Sequence, residues 1–386
     1  MFFTNFPNYA FKNIHGQIFL ESSHPLLYAA LVEANINLSV AAQRHAGQAY
    51  GNYSLLQVDN VSVDELGIIN IEFSTCRRAL TYLLCINSVM RSVKRSDFIY
   101  IFYPGYLAIL AILACWLKRK PYAIYLRGDQ NVFLPRILYF IKGSIFRKAS
   151  FVLCTGSSVV DEMKRFNPNT ESVVPMSPLL FWENDDTVSR QKNKNVTILF
   201  VGEMVRDKGI FELLDAFEEL LGIGFVDIEL IYVGDGGQRF EVESEIQTRN
   251  LRNSVQCLGL ITNLEQLSRL FLSSSIFCLP TYHEGFPRVI YEAMRFSLPI
   301  VTTPVGQIPE VIEHDGNGLL CEPRCVTSLT LNLRRLLESA ELCEKLGAAS
   351  RQTLEGLLSV WGRETHGHQV LGWLERLGLL GNSSKR

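Results

Sequence analysis

Val196-Thr197-Ile198-Leu199-Phe200-Val201, then Gly202-Glu203-Met204-Val205-Arg206-Asp207-Lys208-Gly209-Ile210, then an amphipathic segment from Phe211 to Leu221, reads as strand, loop and helix in direct succession. An apolar, β-branched run with no polar face belongs to a strand covered on both sides, and the helix behind it supplies one of the covers. The same unit recurs toward the C-terminus, with strands expected at Ile228 to Val233, Val255 to Leu258, Ile276 to Leu279, Pro299 to Thr302 and Gly318 to Leu320. Toward the N-terminus the runs Ile36 to Val40, Ile68 to Ile71, Phe98 to Phe102, Tyr122 to Leu126 and Phe151 to Cys154 repeat the pattern, with helix-length segments between them. Alternation of this kind encodes parallel sheets with crossover helices. It breaks once, where Pro175-Met176-Ser177-Pro178, Glu183-Asn184-Asp185-Asp186 and Arg190-Gln191-Lys192-Asn193-Lys194-Asn195 are polar and rich in breakers, the composition of a linker. The expected fold class is therefore α/β, with two doubly wound Rossmann-like domains, residues 1–180 and 181–360, facing across a cleft. Ligands of such sheets bind at the carboxyl ends of the strands.

Composition narrows the function. The 386 residues carry a formal charge of −2, which argues against nucleic acid as a partner. The balance is uneven: Met1 to Trp182 holds 17 Lys and Arg against 11 Asp and Glu, and the remainder holds 20 against 28. The nine cysteines are scattered without paired spacing, and Cys321-Glu322-Pro323-Arg324-Cys325 lacks a second half for a zinc site, so reduced thiols are expected. The start, Met1-Phe2-Phe3-Thr4-Asn5-Phe6-Pro7, has neither the basic region nor the continuous apolar core of a signal peptide. The most apolar window, Tyr106 to Leu117, is too short to span a bilayer. These features lead to an expectation of a cytoplasmic protein.

One segment carries chemistry. In His283-Glu284-Gly285-Phe286-Pro287-Arg288-Val289-Ile290-Tyr291-Glu292-Ala293-Met294 two carboxylates stand eight residues apart across a turn that opens a helix. Glu284 follows the apolar strand end Ile276 to Pro280, Pro287 occupies the expected first helical position, and Glu292 falls about two turns into the helix. The N–H groups at a helix start attract anions, so the segment can hold hydroxyls at both ends and phosphate in the middle. A nucleotide sugar has that arrangement of groups. Taken alone, two carboxylates at this spacing are more often a cap and a solvated face.

The E-x7-E pattern of Glu284 and Glu292 resembles the donor-site signature of retaining GT-B glycosyltransferases, the glycosyl transferases group 1 family, over about Val196 to Glu322 and more loosely over Phe98 to Val174. The resemblance implies a role for each residue. Glu292 would accept the ribose hydroxyls and Glu284 would hold the transferred sugar. Lys208, with the N–H groups around Phe286 and Pro287, would take the diphosphate. Many relatives carry arginine after the strand glycine, where this chain has Glu203, and Arg206 is the candidate replacement. Gly234, in Val233-Gly234-Asp235-Gly236-Gly237, and Gly259 with Leu260 would approach the nucleotide through their backbone. The family's last helix crosses back, so residues 361–386 are expected on the first domain.

On the acceptor side relatives carry a histidine where this chain has Arg127-Gly128-Asp129. Asp129 reads as a group that orients or deprotonates an acceptor hydroxyl and Arg127 as a phosphate contact, or the pair simply closes its own turn. Gly16, in His15-Gly16-Gln17, is expected in a loop opening a helix beside the cleft. No D-x-D triplet is present, so no metal and no cofactor are expected; the nucleotide-diphosphate sugar is a substrate. The family implies hexosyl transfer to a glycan or lipid-linked glycan, as in bacterial surface polysaccharide synthesis. Lys118-Arg119-Lys120, Arg136, Lys142, Arg147 and Lys148, interleaved with Tyr139, Phe140 and Phe146, read either as a face laid on the inner surface of the cytoplasmic membrane or as helices packed on a sheet. Two other functions stay open: a catalytically silent nucleotide-sugar-binding or scaffold protein, and a GT-B-like epimerase or phosphorylase.

Overall fold

The computed structural model describes residues 1–7, 12–14, 17–21, 25–45, 53–55, 61–69, 81, 84–126, 139–173, 177–181, 195–285, 287–361 and 365–380. Gly16, Arg127, Asp129, Arg136 and Phe286 lie outside them. Two compact units divide the chain, Met1–Ala49, Tyr53–Met176 and Trp361–Arg386 forming the first and Ser177–Val360 the body of the second.

In the first unit the strands are β1 (Phe2–Phe6), β2 (Lys12–Ile14), β3 (Gln17–Glu21), β4 (Asn37–His45), β5 (Tyr53–Leu55), β6 (Val61–Ile69), β7 (Phe98–Tyr103), β8 (Tyr122–Leu126), β9 (Val152–Cys154) and β10 (Thr170–Ser172). Seven of them form a parallel sheet in the order β10-β9-β8-β7-β1-β4-β6. β7 explains why such strands read as continuous apolar runs. Ile99, Ile101 and Tyr103 enter one core with the helices Ile86–Arg95 and Tyr106–Lys118, while Phe98, Tyr100 and Phe102 enter the opposite core with the helices Pro25–Glu33 and His366–Arg376. The C-terminal helix is fastened by Trp373 stacked on Phe151, by Trp373 Nε1 and Arg376 donating to Glu171, and by His366 hydrogen-bonded to the Tyr100 hydroxyl at 2.7 Å.

Several details depart from the sequence reading, among them β10, which no expected strand covers. Gln17 opens no helix: Gln17–Glu21 pairs antiparallel with Lys12–Ile14 in a separate three-stranded sheet. Its Ile18-Phe19-Leu20 core favours an extended chain over a helix start. β1 was not foreseen, because Thr4 and Asn5 interrupt its apolar pattern; both are buried, Asn5 donating to Tyr100 O at 3.0 Å and accepting from the Tyr28 hydroxyl. β6 starts seven residues before the expected Ile68, since an edge strand with one neighbour tolerates Asp64 and Glu65. Phe146, one of the residues offered for a membrane face, is fully buried. No helix among the described residues is long and apolar enough to cross a membrane.

The second unit contains β11 (Val196–Val201), β12 (Ile228–Val233), β13 (Val255–Gly259), β14 (Ile276–Leu279), β15 (Ile300–Thr302) and β16 (Leu319–Leu320), all parallel, in the order β13-β12-β11-β14-β15-β16. The chain runs outward from β11 to β13 and then returns to the other side of β11. β11 and β14 thus flank the switch point, where the loops leaving their carboxyl ends diverge and leave room for a ligand.

Candidate active site

Those two loops bring Lys208 and Glu284 together from 76 positions apart. After β11 the chain makes a tight turn at Arg206–Lys208, with the Lys208 N–H on Val205 O and the Gly209 N–H on Arg206 O, before the helix Ile210–Gly222 begins. The loop after β14 is tied to this turn at Asp207 O, which accepts from the Tyr282 N–H at 2.7 Å and the Thr281 hydroxyl at 3.0 Å. Gly209 is required at the contact. Its φ is 72°, and a Cβ there would stand 2.1 Å from Pro280 O. With both backbones fixed, Lys208 Nζ forms an ion pair with Glu284 Oε1, the two side chains being only 20% and 13% exposed. The turn after β15 holds Glu284 from its other side. The Gln307 N–H donates to Gly285 O at 2.9 Å, and Gly306, with φ 57°, approaches so closely that a Cβ would meet Glu284 O at 2.0 Å.

The helix Arg288–Arg295 follows, with Pro287 in the position just before it rather than at its first residue. Pro287 has ψ of 110°, an extended value, so the helix starts one residue later than the sequence suggests and without a side-chain cap from that residue. Glu292 lies within this helix. Part of its side chain stays accessible, yet its carboxyl sits deep among protein atoms, and the loss of water raises its pKa from the ordinary glutamate value. A hydrogen bond from Ser177 Oγ, 2.6 Å, and the charge of Arg288 one turn earlier pull in the opposite direction.

The other candidates are distributed unevenly. Gly234 follows β12 and Gly259 ends β13, and the two are joined by a hydrogen bond from Gly234 N–H to Gly259 O, 2.9 Å, with half-buried Leu260 next in the chain. Arg206 is not gathered with Lys208. It is 58% exposed, lies over the Phe211 ring at 4.3 Å and pairs with Glu241 at 3.2 Å.

The sequence model of the glycosyl transferases group 1 family matches residues 182–353, the span that holds Lys208, Glu284 and Glu292. Those residues are a glycosyl transferases group 1 domain. An uncharacterized glycosyltransferase of Haemophilus influenzae is 33% identical over 161 residues, 42% of this chain and 44% of that protein. The putative teichuronic acid biosynthesis glycosyltransferase TuaC of Bacillus subtilis is 28% identical over 230 residues, 56% of this chain and 54% of TuaC. The chain thus spans about half the length of these relatives. Anabaena HepE, solved in complex with UDP-glucose, superposes with a TM-score of 0.68 at 17% identity, covering 98% of this chain and 100% of HepE. That likeness extends over both units, and the fold is the two-domain α/β architecture of the GT-B glycosyltransferases.

Inside the group 1 domain and just before it, the structure adds residues that the sequence did not single out. The Tyr282 hydroxyl is bonded to Glu212, which with burial raises the Tyr282 pKa, and the Arg324 guanidinium covers its ring at 4.7 Å. Ser177 reaches Glu292 across 115 positions. No local pattern signals either contact, because each depends on chain segments brought together only by the sheet order.

Proposed function

We propose that the protein is a retaining glycosyltransferase that moves a hexosyl group from a nucleotide-diphosphate sugar to a glycan or lipid-linked glycan, as in surface polysaccharide synthesis. The observation that carries this reading is the Lys208–Glu284 pair at the switch point, beside the loop that leads into the Glu292 helix. Lys208 would supply the positive charge for the departing diphosphate, and Glu284 would exchange its partner for sugar hydroxyls as the donor enters. Glu292 would accept the ribose hydroxyls. The amides around Phe286 and Pro287 would complete the diphosphate site, and Gly234, Gly259 and Leu260 would offer backbone to the nucleotide. Charge stabilisation by Lys208 and the helix start removes the need for a divalent cation. The complex of HepE with UDP-glucose and the putative role of TuaC in teichuronic acid biosynthesis support the donor class and the polysaccharide setting. Arg127 and Asp129 remain the acceptor-side candidates, with Gly16 at the border of the acceptor region.

Contact with an anionic membrane from the first unit is part of the same proposal. On the helix Tyr106–Lys118, Tyr106, Leu113 and Leu117 are exposed, and Arg119 and Lys120 follow directly. A second reading, a silent nucleotide-sugar-binding protein, is favoured by one observation: both cations of the β11 loop already have carboxylate partners, Lys208 in Glu284 and Arg206 in Glu241. Incubation with a panel of nucleotide sugars in the presence of EDTA separates the two. Release of a nucleoside diphosphate by the wild type, abolished by Glu284→Ala, is the expected result. Binding without release from any donor would favour the silent protein.

A further inference from the structure

Ser177 opens the segment Ser177–Val360 that forms the body of the second unit, and it is 1% exposed. It is held in place independently of any ligand. Ser177 O accepts from the Leu180 N–H at 3.3 Å to open the short helix Pro178–Phe181, whose Leu179 and Leu180 are buried and which packs against the helices Leu264–Ser273 and Arg288–Arg295. From that anchored position Ser177 Oγ donates to Glu292 Oε1 at 2.6 Å. A hydroxyl fixed by backbone and burial can set the orientation of a carboxylate, and a carboxylate with one oxygen so engaged retains lone pairs for further donors.

We infer that Ser177 is a positioning residue for the nucleotide site, holding the Glu292 carboxylate in the rotamer that receives the ribose hydroxyls. The inference rests on the assignment of Glu292 to the ribose. Glu292 stands in a helix of eight residues, and its carboxyl is stripped of most of its water. Without the Ser177 bond that carboxyl keeps Arg288 as its counter-charge, and it is free to turn or to take up a proton. A protonated or rotated Glu292 would be a poorer acceptor for paired hydroxyls. Ser177 therefore acts through Glu292, and its effect should vanish where either Glu292 or the ribose hydroxyls are missing.

Calorimetric titration of the full chain with UDP, ADP and GDP identifies the base, and the preferred diphosphate is then compared with its 2′,3′-dideoxy form. Ser177→Ala should bind the parent nucleotide about tenfold more weakly than wild type, the loss of one hydrogen bond to a charged acceptor. The same substitution should leave binding of the dideoxy form unchanged, and should have no effect in a Glu292→Ala background. Thermal melting of each variant without ligand verifies that all are folded. If Ser177→Ala misfolds, Ser177→Thr, which keeps the hydroxyl, should bind as wild type, and Ser177→Val, its nearly isosteric partner without the donor, should show the tenfold loss. Equal loss for both nucleotide forms, independent losses in the double variant, or wild-type binding by Ser177→Ala would overturn the inference while leaving Glu292 in its role. Wild-type binding by Glu292→Ala, or no binding of any diphosphate by the intact protein, would remove the ribose assignment and the inference together.

Discussion

Two carboxylates in the group 1 domain are held in different electrostatic states, and each has a measurable consequence. Glu284 is compensated by Lys208, whereas Glu292 has its carboxyl deep among protein atoms, with Ser177 and Arg288 among the described residues favouring its charge. Folding raises the Glu292 pKa, so its contribution to stability is complete below its unfolded value and is lost as pH rises through the folded one. Glu292→Gln is neutral at every pH and still accepts from Ser177. Thermal melts should therefore coincide with wild type in acid and lie above it at neutral pH, while nucleotide binding falls; a variant that melts lower at neutral pH would contradict the burial of an ionised carboxyl. Glu284→Gln makes the opposite test. Removing the partner of Lys208 frees the ammonium for diphosphate, so UDP affinity should be equal to wild type or higher, while product formation drops by about 100-fold or more. A parallel loss of affinity and turnover would mean that Glu284 only supports the fold.

At the scale of elements, the site is made by loops rather than by the strands and helices they connect. The turn Arg206–Lys208 is locked to the β14 loop through Asp207 O and through the close approach of Gly209 to Pro280 O. Gly209→Ala should cost about 3 kcal/mol in denaturant unfolding, from the left-handed backbone and the contact together. The same change should separate Lys208 from Glu284 and weaken diphosphate binding. A neutral Gly209→Ala would show that the two loops yield without penalty. The strands β11, β14 and β15 were legible in the sequence because burial on both faces writes a nearly unbroken apolar run, whereas β12 and the edge strand β13, interrupted by Glu229 and Gln256, were read from their place in the alternation. β1 and β6 were not, and the reasons differ: Asn5 satisfies its side chain inside the core through Tyr28 and Tyr100, and β6 is an edge strand whose Asp64 is paired with Arg95 and Ser92 of the helix Ile86–Arg95. Gln17–Glu21 shows the limit of reading a glycine as a helix opening, since the pairing partner Lys12–Ile14 is what makes it a strand.

Across the whole molecule, the excess of basic residues lies in the N-terminal half and the excess of acidic residues in the rest. An anionic surface would attract the first unit, and the exposed Leu113 and Leu117 lie on a helix that leads into Arg119 and Lys120. Sedimentation with phosphatidylglycerol vesicles should bring down the wild type at low salt and release it as ionic strength rises, because exposed charges are screened beyond a Debye length of about 8 Å at physiological salt. Leu113→Glu with Leu117→Glu should abolish the binding without lowering the melting temperature. Equal sedimentation with neutral lipid vesicles, or none with either, would assign the helix to packing on the sheet alone.

The sequence by itself determined the α/β class, most strands of both sheets and the spacing of Glu284, Glu292 and Lys208, because these follow from local periodicity and from residues near one another along the chain. Tertiary structure alone decided which side chains meet. The return of the chain to β14 beside β11 joins Lys208 to Glu284, the same order leaves Arg206 with Glu241 and Phe211, and packing of Pro178–Phe181 delivers Ser177 to Glu292. Periodicity reports the face a residue occupies, but a contact across 76 or 115 positions is set by strand order and loop path, which no local pattern encodes.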